Sequence, residues 1–196
     1  MPTANKVRFG LRNVHYALLT STTDPVTGAV TYSWGTPVAV PGAVSLDMSN
    51  ESDMNVFYAD NVAYYATSTA ATYQGDLEMA LIPDRMLTDI WGDATDSQTG
   101  VVYEGASSAK AFALLFQING DQQNDYYVLY NCTATRPAVS AETIGENAEP
   151  QTQSITITAA ALNDKFGTIQ AHTNENTDST TKNGWFNAVV YADQGQ

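Results

Sequence analysis

Apolar side chains recur at every second position over much of the chain. Val7, Phe9 and Leu11 alternate with Lys6, Arg8 and Arg12, and His15-Tyr16-Ala17-Leu18-Leu19 carries the run toward Asp24-Pro25-Val26-Thr27-Gly28. A period of two puts alternate side chains on one face of a strand. Proline then sets φ and glycine permits positive φ in the turn, so a hairpin is predicted, returning through Val30, Tyr32 and Trp34 and ending at Gly35-Thr36-Pro37. Phe112, Leu114, Phe116 and Ile118 alternate in the same way, turn at Asn119-Gly120-Asp121 and return over residues 126–132 as a second hairpin, closed by Arg136-Pro137. Ile155 and Ile157 between hydroxyl residues predict a further strand, and residues 185–191 a last one. Residues 142–153, with Gly145 and Pro150 and no apolar period, read as an exposed loop. Residues 172–184 read as polar and mobile by composition.

The stretch 41–83 organises the rest. A Pro41-Gly42 turn leads into Val44 and Leu46, alternating with Ser45 and Asp47, after which the acidic, Ser/Asn-rich run 47–53 reads as a polar excursion. The chain returns through Val56-Phe57-Tyr58, breaks at Ala59-Asp60-Asn61 and continues as Val62-Ala63-Tyr64-Tyr65 before Tyr73-Gln74-Gly75-Asp76 leads into Leu77, Met79 and Leu81. Polar residues interrupt Met48, Met54, Val56, Phe57 and Tyr58, so residues 47–61 are expected to lie off their own core. They would be mobile in a free subunit and ordered by burying Met48, Met54 and Phe57 on a neighbour. Tyr58, Asp60 and Asn61 form the expected hinge, with the Asp60 and Asn61 side chains closing the turn onto backbone amides. Asp47, Glu51 and Asp53 have no neighbouring His, Cys or Lys, which points to surface contact rather than catalysis. A helix follows, with Pro83 at its first position, Asp84 in its first turn and Gly92 past its end. Met86, Leu87, Ile90 and Trp91 share one face, and about two turns of helix need a sheet to pack on.

Composition bounds the function. A chain of 196 residues fits one domain spanning 1–196. Twenty-one acidic against eight basic residues give a net charge of −13, which disfavours coating DNA or RNA. Lys6, Arg8 and Arg12 stand apart as a basic N-terminal cluster suited to acidic patches on an adjacent subunit; the alternative is ordinary surface ion pairs worth about 0–1 kcal/mol each. Cys132, the single cysteine, reads as a buried thiol. No apolar leader and no run of ~20 apolar residues is present, so no membrane association is expected.

Chemistry is sparse. His15 in an apolar strand reads as a hydrogen-bonded structural histidine and His172 as a solvated one; neither stands beside a nucleophile motif. Two histidines and one cysteine do not make a zinc set. Asp93, Thr95, Ser97, Thr99 and Glu104 echo a calcium loop, but Gln98 occupies the position that needs glycine, so residues 93–104 read as a solvated acidic loop. Tyr64-Tyr65 and Tyr126-Tyr127 read as core or interface, with stacking on sugars or bases as the alternative. No enzyme activity and no cofactor are expected.

The segments Lys6-Val7-Arg8-Phe9-Gly10-Leu11-Arg12-Asn13-Val14-His15-Tyr16-Ala17, Pro41-Gly42-Ala43-Val44, Phe57-Tyr58-Ala59-Asp60-Asn61-Val62-Ala63-Tyr64 and Tyr130-Asn131-Cys132 with Arg136-Pro137 resemble, in order, the major tail proteins of long non-contractile-tailed bacteriophages. The resemblance implies a tail tube protein of the virion, assembled in the host cytoplasm. It implies a mainly β fold, sandwich or barrel-like, with one short flanking α-helix and long inter-strand loops. Subunits would form hexameric rings stacked into a tube, strands from all six closing a barrel around a lumen through which DNA passes without specific binding. Tape-measure and tail terminator or tip proteins would be the other partners. Many relatives append a C-terminal immunoglobulin-like domain, which this chain is expected to lack. The competing reading is a β-sandwich adhesin module that binds glycans through Tyr and Trp.

Overall fold

In the computed structural model, which describes residues 4–52, 54–68, 72–143 and 150–192, the chain is mainly β. Among those residues it runs as β1 (Arg8–Thr23), β2 (Val30–Trp34), β3 (Val38–Ala39), β4 (Ala43–Glu51), β5 (Met54–Ala59), β6 (Val62–Ser68), β7 (Thr72–Met79), α1 (Asp84–Met86), β8 (Ala94–Thr95), β9 (Val102–Tyr103), β10 (Phe112–Gly120), β11 (Asp125–Ala134), β12 (Gln153–Ala159), β13 (Gln170–His172) and α2 (Ser179–Gly184). The main sheet is antiparallel, in the order β2-β1-β10-β11-β12-β7-β4, with β3 also on β1 and β13 also on β11. The ribbons β5-β6 and β8-β9 stand outside it.

Both faces of the central strands are covered, which explains the near-continuous apolar run of β10. Phe112, Leu114 and Phe116 point into a first core with Tyr16, Leu77, Met79, Ile155 and Ile157, while Ala113 and Leu115 point into a second with Val128, Tyr130 and Trp185. The sheet curls around the first core. After β3 the Val40 amide donates to the Val14 carbonyl at 2.8 Å, the chain turns at Pro41-Gly42, and β4 then lies beside β1 without pairing to it. The fold is thus a sandwich-like, partly closed barrel, the class that the resemblance implies.

The helix that plugs the first core starts one residue later than predicted. Pro83 has ψ 141°, so it precedes the helix; α1 then widens into a π-helical turn at Leu87–Trp91 and stops at Gly92, φ 75°. Met86, Ile90 and Trp91 are buried and Leu87 packs against them, the expected face. The Trp91 indole donates to the Ala134 carbonyl at 3.3 Å.

Three expectations fail in the second half of the chain. Residues 172–184 carry regular structure that composition did not announce: β13, ending at His172, adds to β11, and the Asp178 carboxylate accepts the Thr181 amide at 2.8 Å to start α2, a second helix. Such local polar satisfaction leaves no apolar period to read. Residues 185–187 turn and 188–191 run on without a strand; Trp185, Phe186, Val189 and Tyr191 instead cover the second core. A continuous apolar run reports burial without specifying the backbone. The turn between β10 and β11 falls at residues 121–124, because Asn119 and Gly120 still pair with β1. In the expected loop 142–153, residues 142, 143 and 150–152 are exposed and Gln153 begins β12, while 144–149 lie outside the described residues. No helix among the described residues is long and apolar enough to cross a membrane.

Candidate functional site

The β5-β6 hairpin is the most unusual surface. It turns at Asp60-Asn61, whose φ angles of 50° and 62° are the paired left-handed values of a two-residue hairpin turn. Asn and Asp tolerate this conformation, and the backbone alone makes the turn; neither side chain bonds an amide there, which corrects the expected closure. Phe57 pairs with Tyr65 and Tyr58 with Ala63, leaving Tyr64 as an extra residue in a bulge. Phe57, Tyr58, Val62, Tyr64 and Tyr65 are 58% to 73% exposed. Successive strand residues point to opposite faces, so Phe57 and Tyr58 show aromatic surface on both. A lone two-stranded hairpin is marginally stable in water, and a patch of this kind marks an interaction site. Met54 opens β5, and Asp53 lies outside the described residues.

Beside the hairpin's base lies an acidic sheet face. The run read as a polar excursion is a strand through Glu51, because β7 supplies its hydrogen-bond partners: Ser45 pairs with Glu78, Asp47 with Asp76, Ser49 with Gln74 and Glu51 with Thr72. Met48 and Leu46 turn inward and pack on the subunit's own first core, so Met48 is not held in reserve for a neighbour. The outer face carries Asp47, Asp76 and Glu78 with Ser154, Thr156 and Thr158 of β12. Neither β4, β7 nor β12 contains a Lys or Arg. Hydroxyls donate to the carboxylates: Thr156 to Asp76 at 2.7 Å, Thr152 and Ser45 to Glu78 at 2.5 and 3.0 Å, and Ser49 to Glu51 at 2.8 Å. The bonds from Thr152 and then Ser45 keep the Glu78 carboxyl below the ordinary carboxylate range. Asp47 and Asp76 sit directly opposite each other, an unfavourable cross-strand pair.

The three N-terminal cations separate. The Arg8 guanidinium bonds the buried Asp125 carboxylate at 3.1 Å and lies over the Tyr127 ring, so it is engaged within its own subunit. Around Lys6 the backbone is fixed, its amide donating to Asp121 at 2.8 Å beside Asn5, which accepts the Gln122 and Gln123 amides. Arg12 is exposed.

The loop that echoes a calcium site already holds a cation from its own chain. Asp93 is buried rather than solvated and receives two guanidinium bonds from Arg136, at 3.0 and 2.7 Å, while the Arg136 Nε lies 3.2 Å from Glu104. Those bonds, against the opposing effect of burial, hold the Asp93 carboxyl below its usual range. Among the described residues no group of three or more His, Cys, Asp or Glu is placed to hold a metal. His15 is the structural histidine predicted, bonded to the Asn13 carbonyl at 2.8 Å and stacked on Phe186. His172 is exposed, as expected, and in addition stacks on Tyr127, which itself stacks on Phe116. Cys132 is buried and burial pushes its thiol up to about 12.

Sequence reasoning missed Asp76, Glu78 and Gly75 as parts of this surface. The signal was present in the alternation of Gln74, Asp76 and Glu78 with Leu77 and Met79. A Cβ on Gly75 would lie 1.7 Å from the Asp47 carbonyl oxygen, so glycine is what lets β4 and β7 approach. No family model and no curated protein matches the chain.

Proposed function

We propose that this is a structural protein that polymerises with copies of itself into stacked rings, forming the tail tube of a long-tailed bacteriophage virion. The observation that supports this reading most is the β5-β6 hairpin, two strands paired with nothing else among the described residues and aromatic on both faces. A head-to-tail contact between copies would bury it once per subunit and repeat, closing rings or extending filaments. The cation-free face of β4, β7 and β12 suits the wall of a channel for DNA: carboxylates repel phosphate, and each missing Lys or Arg removes a salt-dependent hold. Ring number of six, a tape-measure partner and a terminator or tip partner belong to the same reading, as does assembly in the host cytoplasm.

The exposed rings of Tyr58, Tyr64 and Tyr65 also suit stacking on sugars, which is the basis of a second reading, a glycan-binding module. Sedimentation and electron microscopy separate the two. The native chain should form rings or tubes, and Phe57→Ser with Tyr65→Ser should leave a subunit with unchanged thermal unfolding that stays monomeric. A native chain that is monomeric at every concentration and binds glycans would replace the first reading with the second.

A further inference from the structure

The barrel has an open seam, and we propose that this seam receives the β5-β6 hairpin of a second copy; the inference rests on the self-assembly reading above. The first half of β1, from Arg8 to Arg12, pairs with β10 on one side, and among the described residues its other edge is unpaired: β3 reaches only His15 and Tyr16, and β2 only Leu19 to Thr23. The outer edge of β4 is likewise unpaired, since β4 pairs with β7 alone. These two edges border one another where β4 passes β1. Between them is a groove of about 300 Å³ lined by apolar Leu11, Val14, Val40 and Ala43 and by polar Arg12, Asn13 and His15. Unpaired edges around such a slot form a template for an added strand.

The occupant is argued from what is left unpaired elsewhere in the chain. The hairpin has unshared strand edges and exposed aromatic chains, and its tip carries the Asp60 carboxylate, complementary to exposed Arg12. It does not serve its own seam. The groove sits at the Ala43 end of β4, whereas the hairpin follows the Glu51 end, roughly 27 Å away at ~3.4 Å per residue, and Phe57, Tyr58 and Tyr64 are exposed there. The donor is therefore another copy. Each copy gives a hairpin and takes one, which is the arrangement of a head-to-tail contact.

Two cysteine variants made separately test this. Arg12→Cys marks the seam and Tyr58→Cys the hairpin, on a chain whose own Cys132 is buried and inert. Mixed and oxidised, they should give disulfide-linked dimers containing one of each, and Ser33→Cys, on the far edge strand, should give none with Tyr58→Cys. Folding of each variant is checked by its far-ultraviolet spectrum. Sedimentation of the native chain is run alongside. Oligomers that form without an Arg12→Cys to Tyr58→Cys bond, or with equal linkage to Ser33→Cys, overturn the seam and leave self-assembly standing. A native chain that never oligomerises overturns both.

Discussion

Replacing Arg136 by Met keeps most of the apolar stem while deleting both bonds to Asp93. The Asp93 side chain is 4% exposed and the Arg136 side chain 25%, so the variant leaves a buried carboxylate without its cation. Breaking a buried pair costs about 3–5 kcal/mol, and the part-exposed guanidinium places this site at the lower end, about 3 kcal/mol. For a domain of this size ~1 kcal/mol moves Tm by about 2–4 °C, so the midpoint should fall by roughly 6–12 °C. Asp93→Asn combined with Arg136→Met removes both charges and should lose less than the sum of the singles, by about 1–3 kcal/mol. The pH dependence has a definite sign. Arg136 bonding depresses the Asp93 carboxyl in the folded state, so its stabilisation is complete above the ordinary carboxylate pKa of about 4 and is lost as pH falls through the lower folded value. The gap between native chain and Arg136→Met should therefore narrow between pH 7 and strongly acidic solution. Thermal and denaturant unfolding followed by circular dichroism measures all of this. Arg136→Met within about 0.5 kcal/mol of the native chain, or additive single variants, would refute the assignment of Arg136 as the internal cation of this loop.

Two further predictions follow from close contacts. Gly75→Ala should destabilise the fold by about 1–3 kcal/mol through overpacking, since its Cβ meets the Asp47 backbone rather than a movable side chain; hydrogen exchange should rise along β4 and β7, and an unchanged midpoint would count against the close approach. The Tyr16 hydroxyl donates to Asp89 at 2.7 Å, and burial, followed by that bond and the Asp89 charge, raises its phenol far above the ordinary value. Tyr16→Phe should cost about 1 kcal/mol, with Arg85 still 3.6 Å from Asp89; a loss above about 3 kcal/mol in denaturant titration would mean that Asp89 depends on Tyr16 alone.

Features set by neighbours along the chain are legible in the order of its residues. The period-two alternation of Val30, Tyr32 and Trp34 specifies a strand, Asp24-Pro25 with Gly28 specifies a turn that the Asp24 carboxylate closes onto the Val26 and Thr27 amides, and Asp60-Asn61 permits the left-handed pair that reverses β5 into β6. Pro83 and Gly92 bracket a helix because one cannot continue a helix from within and the other ends it with a positive φ. Which residues oppose one another is settled by long-range pairing in the folded chain. The run Asp47 to Glu51 looks like a loop until β7 completes its hydrogen bonds, and then Met48 turns to the core and Asp47 meets Asp76, 29 positions away. Asp93 looks solvated until Arg136 arrives from beyond the end of β11 and buries it, while Glu104 stays exposed. Residues 185–191 have strand composition but cover the second core without forming a strand, through Trp185, Phe186, Val189 and Tyr191. Local backbone preference acts within a few residues and is written in order; ladder register, ion pairing and core closure depend on the energy of the whole assembled chain, in which a partner tens of residues away overrides what the local composition favours.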